Sequence, residues 1–195
     1  MADQDDMRHA EPDGAKGTPA QQWLVLVYKI PSEPTPLRAT AWRRLKGLGA
    51  VYLQNSVAAL PASTSNERAL RKLRHEIGEM DGTAVLLRAS ALAGESDVMA
   101  SFQAARNDEY EEIVDRAQDF LAQVKKEHVA EHFTFAELEE NEVDLVKLRD
   151  WFEKVARRDV FAASGRRAAE VALAECAEVL EEYASRVFAE ENDGG

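Results

Sequence analysis

From Trp23 to Ile30 the chain reads Trp-Leu-Val-Leu-Val-Tyr-Lys-Ile, β-favouring at almost every position, and Pro31 closes the run. A strand this apolar has no face to give to water. It must be covered on both sides, by protein alone or by protein on one side and a second copy on the other. That requirement sets the search for the elements that cover it.

They follow in alternation. Pro31, Pro34 and Pro36 hold the connection out of helix. From about Pro36 to Leu48 the residues Leu37, Ala41, Leu45 and Leu48 form one apolar stripe, with Arg38, Arg43 and Lys46 off it and Gly49 as the stop. Ala50 to Leu60 reads as one long strand or two short ones, with Gln54, Asn55 and Ser56 marking a bulge or tight turn. A second helix, from about Ser65 to Met80, buries Leu70, Leu73, Ile77 and Met80 and exposes Arg68, Arg71, Lys72 and Arg74. Asp81-Gly82 then sets off a closing strand, Thr83 to Ala89. The order β-α-β(β)-α-β implies an α/β (α+β) unit, a ferredoxin-like βαββαβ sheet with both helices on one face.

After Ser90 the period stays near 3.6. Phe102, Ala105, Ile113, Ala117, Phe120 and Val124 recur along Glu95 to Glu127. Thr134 with Glu137 reads as a capping box opening the next helix, and Ser164 as the cap of the last, where Ala172, Cys176, Leu180, Tyr183 and Val187 share a face. Three long amphipathic helices with short connections imply an antiparallel three-helix bundle. The expected organisation is an acidic disordered arm over 1–21, an α/β domain over 22–92, a helical domain over 93–190 and a disordered tail over 191–195, the long first bundle helix being free to pack back on the sheet.

Charge divides along the same line. Trp23 to Ser90 carries ten cations against five anions, whereas Ala91 to Gly195 carries twelve against twenty-six. A net charge of −12 argues against a chain that coats nucleic acid all over, but a basic module joined to an acidic one is a different object. No apolar run reaches the ~20 residues of a membrane span. The polar, acidic start is unlike a secretory signal, and the single Cys176 excludes an internal disulfide. A soluble cytoplasmic protein with no membrane partner is expected.

Signatures of catalysis are absent: no phosphate-binding loop, no nucleophile elbow, no His-Glu-x-x-His. His128 and His132 have metal-ligand spacing, which a polar helix end explains as well. Cys176, on an apolar stripe, reads as a buried inert thiol. The carboxylate clusters, Asp108-Glu109 among them, read mostly as solvated surface, with Glu109 at a spacing that permits partial burial. The expectation is no enzyme, no cofactor and no metal.

Lys29 to Arg38 carries more. A strand end facing a helix N-terminus offers free N–H groups and the positive end of the helix dipole to an anion. Lys29, Ser32, Thr35 and Arg38 there are candidates to hold a small tetrahedral dianion, against the plainer reading of a snorkelling lysine and a solvated arginine. Arg38, Arg43, Arg44 and Lys46 are candidates for nucleic-acid phosphates, against ordinary solvation of a helix face.

Several stretches together resemble the N-terminal domain of the chromate resistance protein B family: Trp23–Pro31, Glu33–Thr35, Trp42–Lys46, Leu48-Gly49, Ser56–Pro61, Asp108–Tyr110, Phe133–Glu140, Lys147–Trp151 and Arg158–Phe161. They span about Trp23 to Glu190. The resemblance implies a chromate-responsive transcriptional regulator whose partners are DNA and chromate or another oxyanion. Family members carry a second, C-terminal domain; ending at Gly195, this chain is expected to be the stand-alone N-terminal module. The strand-to-proline motif, the arginine-rich helix and Gln54–Val57 are also similar to small CRISPR-adaptation nucleases and to the C-terminal domain of phenylacetate-degradation repressors. The nucleases place a metal-binding aspartate where Lys29 stands, and a protonated lysine repels Mg²⁺, which argues against nuclease chemistry. Such modules commonly dimerise through the sheet or its edges, so a homodimer is expected. The competing reading is a protein-interaction scaffold with no sensory role.

Overall fold

A computed structural model describes residues 21–31 and 35–193, with side chains described from 21 to 31 and from 37 to 190. The expected arm, Gln21 apart, lies outside these residues, as do Ser32 and the side chain of Thr35. Among the described residues nine elements follow in order: β1 (Gln22–Lys29), α1 (Thr35–Leu48), β2 (Val51–Gln54), β3 (Val57–Pro61), α2 (Thr64–Glu79), β4 (Thr83–Ser90), α3 (Glu95–Val129), α4 (Phe135–Ala156) and α5 (Arg166–Asp193). The last helix runs past the expected end at 190.

The four strands form one antiparallel sheet in the order β2-β3-β1-β4, the arrangement expected of a βαββαβ unit. Register explains why β1 is apolar throughout. Leu24, Leu26 and Tyr28 pair with Arg88, Leu86 and Ala84 on the face that carries the helices. There they meet Ala41 and Leu45 of α1 and Leu70, Leu73 and Ile77 of α2 in one core. On the opposite face Trp23 stacks on Phe102 of α3 at 5.5 Å, and Phe161, from the loop after α4, packs on both rings. The bundle thus supplies part of the second cover that β1 requires.

Asn55 and Ser56 make the two-residue turn between β2 and β3, with Ser56 at φ 65° and a register shift between Tyr52 and Gln54. The bulge and the turn expected from the polar trio therefore both occur, side by side.

The bundle has its own core, from Tyr110 and Ile113 through Val124, Leu145 and Val155 to Cys176, Tyr183 and Val187. Thr134 caps α4, its Oγ1 accepting from the Glu137 amide at 3.3 Å. Ser164 does not play the expected part at α5. Its hydroxyl turns to Asn107 of α3, whose Oδ1 accepts the Gly165 amide at 2.8 Å, so a side chain from another helix meets the orphan donor. Among the described residues no helix is long and apolar enough to cross a membrane.

Candidate anion and nucleic-acid interface

The site begins where β1 ends. Lys29 is exposed on the last strand position, and Ile30 turns inward to the core, 5% exposed. The chain returns as α1, and Arg38, Trp42 and Lys46 stand one turn apart along it, all exposed. Trp42 is 48% exposed, and the Lys46 ammonium lies 5.3 Å from its ring centroid. A half-exposed indole with one cation over its ring and a second one turn earlier on the helix leaves aromatic surface open beside positive charge.

Lys29 and Arg38 line one groove with Trp42, Tyr28, Tyr52 and the turn residues Asn55 and Ser56, a volume of about 710 Å³. Its floor is fixed by pairing. The Tyr28 and Tyr52 hydroxyls meet at 2.9 Å, and the Tyr28 amide donates to the Ser56 carbonyl at 2.9 Å. Burial, with Tyr28 beside it, pushes the Tyr52 hydroxyl well above its ordinary pKa, so Tyr52 keeps its proton. The groove is wide for an ion of one central atom and four oxygens, and lies within the ~300–1,000 Å³ typical of sites for larger ligands. Its chemistry is two exposed cations beside the rings of Trp42, Tyr28 and Tyr52, a set that suits a phosphodiester with its base.

The sequence candidates separate here. Lys29 and Arg38 come together on the groove. Lys46 joins the same stripe through Trp42. Arg43 is exposed, with its Nε on the Ala39 carbonyl at 3.3 Å. Arg44 turns the other way, to Glu76 of α2 at 3.1 Å, and ties the two helices. Its side chain remains half exposed there. Trp42, Tyr28 and Tyr52 were not among the candidates. The i, i+4, i+8 spacing of Arg38, Trp42 and Lys46 was a readable signal for the first of them, because an aromatic off the apolar stripe has no core to enter.

The C-terminal end of α1 is held from the bundle. Arg158 donates through Nη1 to the Lys46 and Gly47 carbonyls at 3.0 and 3.2 Å, the negative end of the helix dipole. Its Nη2 meets Glu109 at 2.9 Å, and Glu109 also touches Arg106 Nε at 2.7 Å, a contact too bent to count as a hydrogen bond and so chiefly ionic. Arg106, 4% exposed, reaches the Gly49 carbonyl at 3.4 Å. Gly49 has φ +79°, and a Cβ there would stand 2.5 Å from the Arg106 guanidinium, so this junction admits only glycine without rearrangement.

His128 and His132 show no metal-site geometry. The His128 ring sits edge-on to Phe133, and the His132 carbonyl accepts from the Tyr183 hydroxyl. Among the described residues no group of three or more potential ligands converges. Cys176 is free and buried, its thiol directed at the Ala117 carbonyl at 3.5 Å.

With this geometry in place, known proteins resemble the chain as follows. The profile of the family described as "Protein ChrB, N-terminal" matches residues 38–194, from the groove arginine to the end of α5. A curated relative, Protein ChrB of Cupriavidus metallidurans, is 26% identical over 141 residues, covering 71% of this chain. The chain in turn spans 43% of that relative's length. The chain belongs to the ChrB N-terminal family.

Proposed function

We propose that the chain is a non-catalytic regulatory module of chromate resistance, a chromate-responsive transcriptional regulator or its stand-alone N-terminal module. DNA phosphates are contacted through Lys29, Arg38 and Lys46, with Trp42 presented to a base or sugar. Chromate, a tetrahedral dianion, competes for Lys29 and Arg38, the cations nearest the strand end. A two-fold dimer would present two such grooves to successive turns of a duplex. The observation that carries this reading is the exposed Arg38–Trp42–Lys46 stripe beside Lys29 on an otherwise acidic chain.

The test is titration of the purified protein against its own upstream promoter fragment, with and without chromate, at two salt concentrations, with sulfate as the isosteric control. The reading expects retardation that chromate relieves and sulfate relieves less, and a Lys29→Ala/Arg38→Ala protein whose residual binding is blind to chromate. Binding that falls only with salt would reduce the groove to a generic basic patch. No binding at all would favour the scaffold reading, to which the twenty-six acids against twelve bases after Ser90 lend their support.

A further inference from the structure

The second basic surface lies at the other edge of the sheet, along β4. That strand is an edge: β1 pairs with one side of all eight of its residues, and among the described residues nothing pairs with the other. In an antiparallel strand, alternate residues send both backbone groups to the same side. The Ala84 carbonyl accepts from Arg74 Nε of α2 at 3.2 Å, so it points away from β1. The amides and carbonyls of Ala84, Leu86 and Arg88 therefore face the open edge, while those of Val85 and Leu87 serve the ladder to β1.

The two flanks of this edge differ. On the helix side a groove of about 450 Å³ runs between α2 and β4. Arg71, Arg74 and Arg88 border it with one carboxylate, Glu67, which already meets Arg71 at 2.7 Å and Arg88 at 2.6 Å. Among the described residues no carboxylate pairs with Arg74. On the other side Val85 and Leu87 are 56% and 47% exposed. An edge left open beyond Ala84, beside an apolar row, is a feature that proteins ordinarily cover or charge.

We propose that this edge takes an extended acidic peptide segment of a partner protein as a fifth strand. Its backbone pairs with Leu86 and Arg88, the Ala84 carbonyl being held by Arg74. Because side chains alternate along a strand, its acidic residues fall on the arginine flank and its apolar ones beside Val85 and Leu87. Charge decides between this occupant and a second copy. Pairing β4 with β4 about a two-fold axis sets Arg71, Arg74 and Arg88 against the same three arginines, whereas an acidic strand neutralises them.

The experiment uses the full chain and a fluorescein-labelled peptide of alternating glutamate and valine, as long as β4, with a lysine–valine peptide as control. Fluorescence anisotropy gives affinity, and amide hydrogen exchange reads Leu86 and Arg88. The glutamate–valine peptide is expected to bind at least about tenfold more tightly than the lysine–valine one and to slow exchange at both amides. Arg71→Glu/Arg74→Glu is expected to reverse the preference. Equal affinity for the two peptides, or binding that leaves the amides unprotected, overturns the proposal. Protection before any peptide is added also overturns it, since a second copy (if dilution removes the protection) or the chain itself (if it does not) then holds the edge.

Discussion

Arg158 joins the two halves of the molecule through a single guanidinium: one terminal nitrogen on the Glu109 carboxylate at 2.9 Å, the other on the last carbonyls of α1. Glu109 is the hub, because it also faces the buried Arg106. Desolvation lowers the pKa of Arg106, and Glu109 is the leading influence that opposes it. Glu109→Ala strands one guanidinium that is 4% exposed and leaves a second without its anion. Removing one partner of a buried ion pair typically costs about 3–5 kcal/mol. Urea denaturation should show a loss of that order for Glu109→Ala and a smaller one for Glu109→Gln, which keeps an acceptor. A loss below about 1 kcal/mol would mean water already reaches this junction.

The aromatic contact makes a separate prediction. Phe102 is 2% exposed and stacks on Trp23 beneath the sheet. Phe102→Ala should cost about 3–5 kcal/mol, the usual range for truncating a buried phenylalanine. With Trp42 and Trp151 replaced by phenylalanine, emission reports Trp23 alone, and Phe102→Ala should shift it to the red. Unchanged emission would mean that α3 does not shield that face in solution.

The fold was legible because its elements are punctuated. Pro31, Gly49, Asp81-Gly82 and Thr134 each stand at an element's end, and the boundaries expected around them fall within a few residues of those observed. What was not legible depends on contacts between distant segments. The spacing of Glu109 permits partial burial, but nothing near it in sequence names its partner, Arg158, forty-nine residues further on. Ser164 has the right chemistry for a cap, yet Asn107 occupies the role from another helix. At the groove, Lys29 and Arg38 were readable from the strand-to-helix connection. Tyr52 was not, because its place depends on the β2–β3 pairing that brings it to Tyr28. Arg44, unlike Arg43, falls beside the apolar stripe, at i+3 from Ala41 and i−4 from Leu48, but its partner Glu76 comes only with the packing of α1 on α2.

Alkaline pH should weaken the bundle. Burial pushes the Cys176 thiol up to about 11 from 9.0, and burial, with Asp159 next, pushes the Tyr110 hydroxyl up to about 12 from 10.0. Below pH 9 both groups are protonated in the folded and unfolded chain, and stability does not depend on them. Between about pH 9 and 11 the unfolded chain releases the thiol proton while the folded chain keeps it, so stability falls by up to about 1.4 kcal/mol per pH unit for that group. Tyr110 adds its share from about pH 10 to 12. Urea midpoints at about pH 8 and about pH 10.5 should differ more in the native chain than in Cys176→Ala, whose decline begins only with the tyrosines. Equal declines would show that the thiol is not held neutral by the fold.

The last prediction concerns the cations of α1 and rests on the proposed DNA contact. A phosphate contact releases condensed counterions, so each cation that makes one adds about one unit to the slope of log affinity against log salt. Arg38 and Lys46 flank Trp42 on the exposed stripe, whereas Arg44 is engaged with Glu76 and faces α2. Arg38→Ala and Lys46→Ala should each lower the slope by about one unit and weaken binding across sequences alike. Arg44→Ala should leave the slope unchanged, and any loss of affinity should follow a loss of stability in urea. Trp42→Ala should weaken binding by about 1–3 kcal/mol at constant slope, because stacking carries no counterion release. If instead Arg44→Ala lowers the slope as much as Arg38→Ala, DNA lies across the α1–α2 junction, and the groove beside Lys29 is not its site.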